Sequence, residues 1–587
     1  MNDTFRYIVA GVLIFFIILL QPIYLKWLGY GEHQELPVRH APPVAVDDPS
    51  INNLHYEPAS FHEQLKKTSP IKTSATPEKR ITIKTPLYTT TISNKSGGSI
   101  INYELTNIEH DKYKYLGGYD DSGEYNNNIP VSMVLSNTND CQPCLATYNI
   151  NEEKYIYYNS PFEMSSSTAS LLDTVYLGFR DNIQVDYLMR DELKKVIIKK
   201  STIFYGDSFL SDHVFTINDV AFHENNIELV WGGGLRPTEQ IEGEDVQYGS
   251  GIVSQGGETD NVQINNKEIK TSRHVYQGKT DWAAIRTKYF ISALIPSSSS
   301  SFATLSAENI SFGERKQTPL YSASLGFSSF GSSTENISSK IYLGPLDIDY
   351  VGQAGAGLDA TMNWGWAIIR PISKGILWVL KFMHNTLKLN YGLSLLLFAL
   401  LIRLITGPLT KKSYESTQKM QKIQPLIKKM QDKYKNDPQR LNKEMMGMYK
   451  KHGVNPLGGC LPMLLQMPLL MALFIVFRST IEFRGQPFFL WITDLSKPDI
   501  VFNLPFSIPI YGSGVAILPL IMGITLFMTM QMSSATMDKN QKPIMYFMNG
   551  FFILLFNSFP SGLNLYYTAY NLLNFMQQRS IRSKLDS

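Results

Sequence analysis

Arg403 is the residue whose type and position could do the most chemistry. It lies in an apolar run, residues 391–408 (YGLSLLLFALLIRLITGP), in which it is the one charged side chain. A guanidinium near the middle of a membrane-spanning helix costs about 2.5–3.5 kcal/mol on insertion scales, and such residues usually face a cavity. The sequence therefore predicts a hydrated internal site around Arg403. The alternative is snorkelling to a nearby interface, because Lys411 is roughly 12 Å of helix away.

Any side chains that compensate Arg403 inside the membrane must be neutral, because the five apolar segments of the C-terminal third contain no Asp or Glu. The candidates are Gln466, Thr525, Asn549, Asn557, Asn564, Tyr567 and Thr568. Transporters coupled to protons or cations generally place acidic groups within the membrane, and these segments offer none. A fixed cation without an internal counterion would instead attract a transient anion, such as the acidic residues of a translocating peptide.

The other candidate motifs have simpler explanations. Cys141-Gln-Pro-Cys144 could be a redox or metal motif, but a structural zinc site needs four ligands and there is no second pair. We expect a small local disulfide or two unpaired thiols. Trp231-Gly-Gly-Gly-Leu235 lacks the Lys-Ser/Thr of a phosphate loop and predicts a tight β-turn. The ten histidines show no HExxH spacing. We therefore predict no enzyme, no catalytic residue, and no cofactor or metal site.

Six apolar runs predict a multi-pass α-helical membrane protein. The first, at residues 7–20, is followed by bulky residues and not by a small-residue cleavage site, so we expect residues 1–30 to form an uncleaved anchor. The other five are each about 15–23 residues long, where about 20 helical residues cross a bilayer; they are 391–408, 457–477, 509–530, 544–559 and 562–576. The net charge of +3 excludes a uniformly basic nucleic-acid binder.

A basic segment, residues 411–456, sets the predicted orientation. It carries twelve Lys and Arg against four Asp and Glu, and basic loops beside membrane spans face the cytoplasm. By parity, the N- and C-termini are cytoplasmic and residues from about 30 to 390 are largely periplasmic. The pattern predicts two helices joined at Asn436-Asp437-Pro438, with a Met-rich seam. This hairpin could be a solvated loop held by anionic lipid, or it could dock to ribosomal RNA or a targeting factor.

The predicted periplasmic part has three regions. Residues 31–79 are rich in Pro, His, Thr and Ser and predict a flexible linker. Residues 80–345 alternate apolar and polar side chains between Gly/Asn turns, which predicts a large antiparallel β-sandwich. Residues 364–389 place Ile369, Ile376 and Leu380 on one side of a helix beside basic residues, which predicts an amphipathic interfacial helix. The alternative for this helix is packing on the β-domain.

Several motifs occur together in the C-terminal part. They are residues 400–410 (LLIRLITGPLT), Glu444-Met-Met, Asn455-Pro-Leu-Gly-Gly-Cys460, Gln466-Met-Pro468, Leu490-Trp491-Ile492-x-Asp494-Leu495, and Phe559-Pro-Ser-Gly562 followed by Tyr566-Tyr567. In this order they resemble the YidC/Oxa/Alb family of membrane-protein insertases, from residue 364 to about 582. The anchor, linker and β-domain are similar to the bacterial form found in inner membranes of double-membraned cells.

The resemblance implies a five-span insertase core, residues 391–580, with a hydrophilic groove open to the cytoplasm and to lipid. Arg403 matches the family's groove arginine, and Tyr566 and Tyr567 match tyrosines along the path of client segments. Gln466 and Thr525 complete our predicted substrate-binding set. The expected partners are nascent membrane proteins, the ribosome, the Sec translocon, the signal recognition particle and its receptor through the cytoplasmic hairpin, and anionic lipid.

The predicted function is therefore that of an insertase and chaperone for inner-membrane proteins, which works alone or with the Sec translocon. An anion channel or small-solute transporter is the alternative, since either could also use a buried arginine. A third possibility is a scaffold whose β-domain binds partners while the membrane part only anchors it.

Overall fold

The computed structural model describes residues 76–586 apart from 110–111, 136–140, 150–153, 166–172, 219–225, 265–270, 329–333, 436, 454–460, 510 and 535–541. The predicted anchor, residues 1–30, and nearly all of the predicted linker lie outside the described residues. The chain forms two compact units. The β unit contains the described residues up to Trp364 together with Ser479–Gly485, and the helical unit contains Gly365–Arg478 and the chain from Gln486 onward.

The β unit is built from strands that alternate buried and exposed side chains, as in β1 (Arg80–Lys84) and β12 (Asn182–Arg190). The other strands are β2 (Thr89–Ser93), β3 (Ser99–Glu104), β4 (Ile108–Glu109), β5 (Lys112–Tyr113), β6 (Leu116–Tyr119), β7 (Tyr125–Pro130), β8 (Cys144–Asn149), β9 (Lys154–Tyr157), β10 (Glu163–Met164), β11 (Thr174–Tyr176), β13 (Val196–Tyr205), β14 (Leu210–Ile217), β15 (Ile227–Trp231), β16 (Ser250–Gln255), β17 (Glu258–Val262), β18 (Thr271–Gln277), β19 (Trp282–Arg286), β20 (Phe290–Pro296), β21 (Phe302–Phe312), β22 (Arg315–Phe327) and β23 (Glu335–Pro345). Two short helices, α1 (Glu242–Tyr248) and α2 (Ile348–Ala354), accompany them.

Two large sheets form the body of the β unit. One has nine strands in the order β10-β12-β13-β14-β23-β20-β19-β16-β17, and the other has six in the order β18-β21-β22-β15-β8-β9. The sheets pack through β16 and β19 against β21 and β22, which buries Trp231 and Trp282 completely. A smaller sheet, β11-β1-β2-β3, contains the parallel pair β1–β11. This pair departs from the all-antiparallel sandwich that the alternation predicted, because a side-chain period of two does not encode strand direction.

The two cysteines of the Cys141-Gln-Pro-Cys144 motif form a disulfide. Both are fully buried beside Ala146, Tyr157 and Val230 in the interior of the six-stranded sheet. The structure therefore confirms a small local disulfide, one of the two arrangements that we expected from the sequence.

A segment from the C-terminal third, Ser479–Gly485, belongs to the β unit. Its Arg484 is buried: Nε donates to the Glu239 carboxylate at 2.8 Å, and the two η nitrogens donate to the carbonyls of Leu116, Gly117 and Thr238 at 2.7–3.1 Å. Ile481 and Phe483 are 3% and 0% exposed. The ion pair and the apolar side chains therefore bury this segment.

The helical unit consists of α3 (Arg370–Asn385), α4 (Tyr391–Lys433), α5 (Pro438–Lys451), α6 (Leu461–Ser479), α7 (Leu518–Ser534), α8 (Lys542–Phe556) and α9 (Ser561–Asp586). The break between α8 and α9 spans residues 557–560, so it includes Pro560 as the sequence predicted, but Ser561 is already the first residue of α9. The predicted second span and the first helix of the cytoplasmic hairpin form one continuous helix, α4, which runs through Pro408 and Pro425.

Residues 509 and 511–516 do not belong to a helix, so the predicted helical start at residue 509 is wrong. They contribute to a hairpin of β24 (Ile500–Ile508) and β25 (Gly512–Ala516), and α7 begins only at Leu518. The reason is local: Gly512 has φ +87°, a backbone conformation that a helix does not contain, and Gly514 lies against the Ile500 side chain.

The amphipathic helix α3 packs against α4. Ile376 and Leu380 of the predicted stripe are buried, whereas Leu387 is 52% exposed. Trp378 and Phe382, on the other side, are exposed and stack on each other. Helix α3 therefore presents apolar surface both to α4 and to its surroundings.

The hairpin of α4 and α5 closes on a small apolar seam. Ile423 and Ile427 are buried, and Met420, Met445 and Met448 pack against them with Tyr449. This is the Met-rich seam that the sequence predicted.

Within the described residues, the stretch Tyr391–Met420 is long and apolar enough to cross a membrane, with a mean hydropathy of 2.0. Three shorter apolar helical stretches, Gln466–Ser479, Ile517–Gln531 and Met545–Phe556, fall below that length. The count of six spans stays a prediction.

The β unit buries a lysine whose charge should make its stability depend on pH. The Lys200 ammonium is fully buried and lies 3.3–3.5 Å from the carbonyls of Ser96, Gly98 and Pro143, and burial lowers its pKa to about 7. Because lysine in the unfolded chain has a pKa of about 10.4, the unfolded state binds more protons between these values, and stability rises with pH across that window.

We expect Lys200→Met to remove this dependence. Between pH 7 and pH 9 the free energy of unfolding of the native protein should rise by about 2 kcal/mol, and that of the variant should not. The difference in free energy of unfolding, variant minus native, should therefore fall by that amount. Pulse proteolysis of the β unit in the full-length protein, across a urea series at both pH values, measures the difference. The exposed neighbour Lys199→Met is the control. An equal stability difference at pH 7 and pH 9 would contradict the prediction.

The buried Arg484–Glu239 pair should stabilise the β unit through mutual neutralisation. Arg484→Met leaves the Glu239 carboxylate buried without its cation, which should cost about 3–5 kcal/mol. The double variant Arg484→Met/Glu239→Met should recover part of that loss, because no uncompensated charge remains. The same proteolysis measurement checks both variants, with the exposed Glu258→Met as the control. A double variant less stable than Arg484→Met would contradict the expected recovery.

Candidate functional site

Arg403 lies in the interior of the helical unit. Its side chain is 6% exposed, and one η nitrogen donates to the Thr410 hydroxyl at 3.4 Å, two turns further along α4. Nε and the other η nitrogen are buried and have no hydrogen-bond partner in the described part of the protein. The guanidinium is therefore enclosed among helices, and it has unused donors.

An aromatic ladder on α9 approaches the guanidinium. The ring of Tyr570 lies 5.7 Å from the Arg403 guanidinium carbon, within range of a cation–π interaction. Tyr570 stacks on Tyr566 at 6.0 Å between ring centroids, and Tyr566 meets Tyr567 edge-on at 5.3 Å. The stack of Tyr566 on Tyr570 follows from their spacing, because residues four apart on a helix are neighbours.

The tyrosines of the ladder place hydroxyl groups among apolar side chains in the interior of the helical unit. The hydroxyls of Tyr566 and Tyr567 are buried and have no hydrogen-bond partner among the described residues. The same holds for the side-chain carbonyl oxygens of Asn549 and Asn564. Phe398 of α4 and Phe556 of α8 pack against the two tyrosine rings. An unpaired buried polar group costs about 1–3 kcal/mol, so each of these atoms favours a polar partner.

Local irregularity in α4 explains how Arg403 is positioned. Pro408, about one turn after Arg403, lies inside the continuous helix and has no N–H group to donate to the carbonyl of Leu404. The hydroxyls of Thr406 and Thr410 bond back to the carbonyls one turn earlier, a pattern that bends helices. Gly407 has no side chain, so the Gln577 amide of α9 can approach and donate to its carbonyl at 3.2 Å.

Of the five predicted site residues, Tyr566 and Tyr567 are in ring contact, and Arg403 is linked to Tyr566 through Tyr570. Thr525 on α7 is buried and accepts, through its carbonyl, from the Thr529 hydroxyl, which also bonds to the carbonyl of Asn571 beside Tyr570. Gln466 is half-buried on α6. The hydrogen bonds and ring contacts of the described residues do not connect it to the ladder.

Sequence reasoning missed Tyr570, which joins Arg403 to the predicted tyrosines, and Thr410, the one hydrogen-bond partner of the guanidinium among the described residues. Both had a detectable signal. Tyr570 follows Tyr566 by four residues and therefore lies on the same face of its helix. Thr410 follows Arg403 by seven residues and likewise lies on the same face as Arg403.

The arrangement can bind polar and anionic groups, and its residues supply no covalent chemistry. Among the described residues there is no group of three or more His, Cys, Asp or Glu that could hold a metal ion. Asn557, a candidate partner of Arg403, serves another purpose: its side chain binds the backbone of β25 and of Tyr511. Thr568 bonds to the carbonyl of Asn564 within its own helix.

Two family models match the chain in the expected order. One, described as the YidC periplasmic domain, matches residues 184–379, within the β unit and α3, and one described as the 60Kd inner membrane protein matches residues 382–587. Together they cover the β unit from β12 onward and the helices from the end of α3.

Individual proteins match over most of the chain. The membrane protein insertase YidC of Chlorobium phaeovibrioides is 39% identical over 427 residues, which cover 71% of this chain and 72% of that protein. The membrane protein insertase YidC of Chloroherpeton thalassium is 32% identical over 511 residues, 85% of this chain and 82% of that protein. A crystal structure of an active YidC insertase aligns over 88% of this chain and 95% of that one, at 16% identity and a TM-score of 0.31.

The two family models and the insertase relatives confirm the resemblance drawn from the motifs around Arg403 and Tyr566. The names of the relatives describe an insertase and not an enzyme, in agreement with the sequence prediction. At 39% identity over more than two thirds of both proteins, the chain belongs to the YidC family of inner-membrane protein insertases, in the form that carries a periplasmic domain.

Proposed function

We propose that this protein inserts other membrane proteins into the bacterial inner membrane, and that the cluster around Arg403 receives the polar part of the client. The observation that carries the proposal is the buried Arg403 guanidinium, which has two nitrogens without a hydrogen-bond partner among the described residues, together with apolar segments that contain no Asp or Glu. The acidic or polar tail of a client supplies the missing partner as it passes.

The energies suit transient binding. At an effective dielectric of about 20, two opposite charges 4 Å apart attract by about 4 kcal/mol. This is similar to the cost of about 2.5–3.5 kcal/mol for placing one charged side chain at the centre of a membrane. The attraction therefore offsets the cost of drawing an acidic residue partway across, and it does not hold the residue there.

The exit of the client follows from the surface next to the cluster. Leu404 and Ile405, directly after Arg403, are 67% and 66% exposed. In a membrane, this face of α4 lies open to acyl chains. The apolar segment of the client moves along the tyrosines of α9 into lipid while its tail is held at the guanidinium, and no energy-coupled step is needed.

We further propose a membrane topology and a set of partners for the protein. Six spans place both termini in the cytoplasm, with a hydrated groove open to the cytoplasm and to lipid. The basic hairpin of α4 and α5 then faces the ribosome, the signal recognition particle and its receptor, and anionic lipid. The excess of eight positive charges in residues 411–456, twelve Lys and Arg against four Asp and Glu, supports this orientation of the hairpin. Clients arrive from the ribosome directly or through the Sec translocon.

Arg403→Ala should reduce insertion of a single-spanning client with an acidic tail by at least about tenfold, because losing even 1.4 kcal/mol of attraction changes a rate by that factor. Arg403→Lys keeps the charge and should retain most of the activity. Protease protection of the client tail in vesicles reconstituted with the purified protein measures insertion. The exposed Arg370→Ala, at the start of α3, is the matched control.

Two results would count against this role. Unchanged insertion by Arg403→Ala would remove the general need for the cation, and an equal loss with a neutral-tailed client would exclude charge pairing. Voltage-driven anion currents in the same vesicles, without client insertion, would favour the channel or transporter. Deletion of residues 80–343 tests the scaffold: retained insertion makes partner binding by the β-domain untenable as the main function.

Tyr570 should act through Arg403. Tyr570→Phe keeps the ring beside the guanidinium and should insert clients normally, whereas Tyr570→Leu removes a cation–π contact of about 0.5–1 kcal/mol and should lower insertion about two- to fivefold. In an Arg403→Ala background, Tyr570→Leu should have little further effect, because the two residues form one unit. The protease-protection assay checks this double-mutant cycle. Additive losses would show that Tyr570 contributes independently of Arg403.

A further inference from the structure

The hairpin of β24 and β25 exposes an unusual amount of apolar surface. Ile500, Val501, Phe502 and Phe506 are 47%, 42%, 55% and 60% exposed. The chain carries no charged residue from residue 500 to residue 537. Strands at a water-exposed edge are normally protected by charged side chains, because unprotected edges pair with other chains. The surroundings of this hairpin are therefore not bulk water.

The pattern of exposure distinguishes lipid from a protein partner. A strand that packs on one protein surface alternates covered and exposed side chains. Ile500, Val501 and Phe502 are consecutive and all exposed, and the pairing is irregular between Ile500 and Phe502. A single flat partner would leave part of this surface uncovered, whereas acyl chains and headgroups surround a hairpin on every open side.

The loop before the hairpin extends the same surface. Phe489 and Leu490 are 64% and 71% exposed. Trp491 follows them, and its indole N–H donates to the Asp499 carboxylate at 2.9 Å. An amphipathic tryptophan beside exposed apolar side chains is typical of the membrane–water interface.

Two buried polar side chains tie the hairpin to the helices. Asp499 accepts from the backbone N–H groups of Ile517 and Leu518 at 3.2 and 2.8 Å, at the start of α7. Asn557, directly after α8, donates to the carbonyls of Tyr511 and Gly514 at 2.8 and 2.7 Å and accepts from the Ala516 N–H at 3.0 Å. The hairpin therefore sits at a fixed level relative to the ends of α7 and α8.

The unpaired backbone groups of the hairpin limit how deeply it can lie in the membrane. A two-stranded hairpin leaves the outer N–H and C=O groups of both strands unpaired, and unpaired groups cannot lie in the hydrocarbon core. Headgroups and interfacial water satisfy them. The side of the membrane follows from the chain connection. Ser479–Gly485, which precede the hairpin in the sequence, are part of the β unit, and that unit matches a family model of a periplasmic domain.

We infer that the β24–β25 hairpin is a lipid-binding surface of the protein, seated in the headgroup region of the periplasmic leaflet. Ile500, Val501, Phe502 and Phe506 insert between acyl chains there, and the hairpin fixes the depth of α7 and α8 in the membrane. This inference does not depend on Arg403 or on the path of the client.

Depth-sensitive spin labelling of the full-length protein tests the inference. A nitroxide at Phe506→Cys, in a Cys460→Ser background that leaves Cys141 and Cys144 as their disulfide, is measured in vesicles of phosphatidylethanolamine and phosphatidylglycerol. Its collision rates with oxygen, which concentrates in lipid, and with a water-soluble nickel complex are compared. Leu193→Cys, at an 89% exposed turn of the β unit, is the water control, and Leu404→Cys, at a 67% exposed site of α4, is the lipid control.

The label at residue 506 should favour oxygen over nickel several-fold more than the label at residue 193, and less strongly than the label at residue 404. Phe502→Cys provides a second labelled variant, in case Phe506→Cys does not fold. A nickel accessibility equal to that at residue 193 would place the hairpin in water and overturn the inference. Protection from both reagents would also overturn it, because a protein surface and not lipid would then cover the hairpin.

Discussion

An arginine that is buried without an acidic partner is the constraint on which the helical unit depends. The guanidinium of Arg403 remains charged at any physiological pH, and the described helices around it offer one hydroxyl and one aromatic ring. The hydroxyls of Tyr566 and Tyr567 are also buried and have no hydrogen-bond partner among the described residues. Because such groups are unfavourable without a polar partner, we propose that the polar part of a client satisfies them as it passes.

In the β unit, by contrast, the arginines with little exposure have carboxylate or carbonyl partners within the protein. Arg484, Arg315 and Arg236 each contact a carboxylate, and Arg286 donates to the carbonyls of Thr287, Lys288 and Thr361. In those cases the structure itself neutralises or satisfies the charge, which stabilises a fixed arrangement. The contrast between the two units supports a role for Arg403 in binding a passing partner, since a purely structural arginine would be expected to have its partners built in.

The sequence predicted those parts of the molecule that follow from local periodicity. Among the described residues, the strands of the β unit run from Arg80 to Pro345, and a break that contains Pro560 separates α8 from α9. Parts that depend on distant pairing were missed. The burial of residues 479–485 requires Glu239, far away in the chain, and the hairpin at residues 500–516 depends on Asn557. Arg403, Tyr566 and Tyr567 were found from type and motif, but Tyr570, which connects them, was visible only as a helical spacing.

The most direct test of the account is site-specific photocrosslinking from the ladder to a client. A photoreactive phenylalanine replaces Tyr567, and ribosome-bound clients of increasing length are irradiated in native membranes, with the exposed Trp378 position as the control. The account predicts that adducts form from residue 567 first with the polar tail and then, at greater lengths, with the apolar segment. Absence of adducts from residue 567 at every length, while the same clients become inserted, would contradict it.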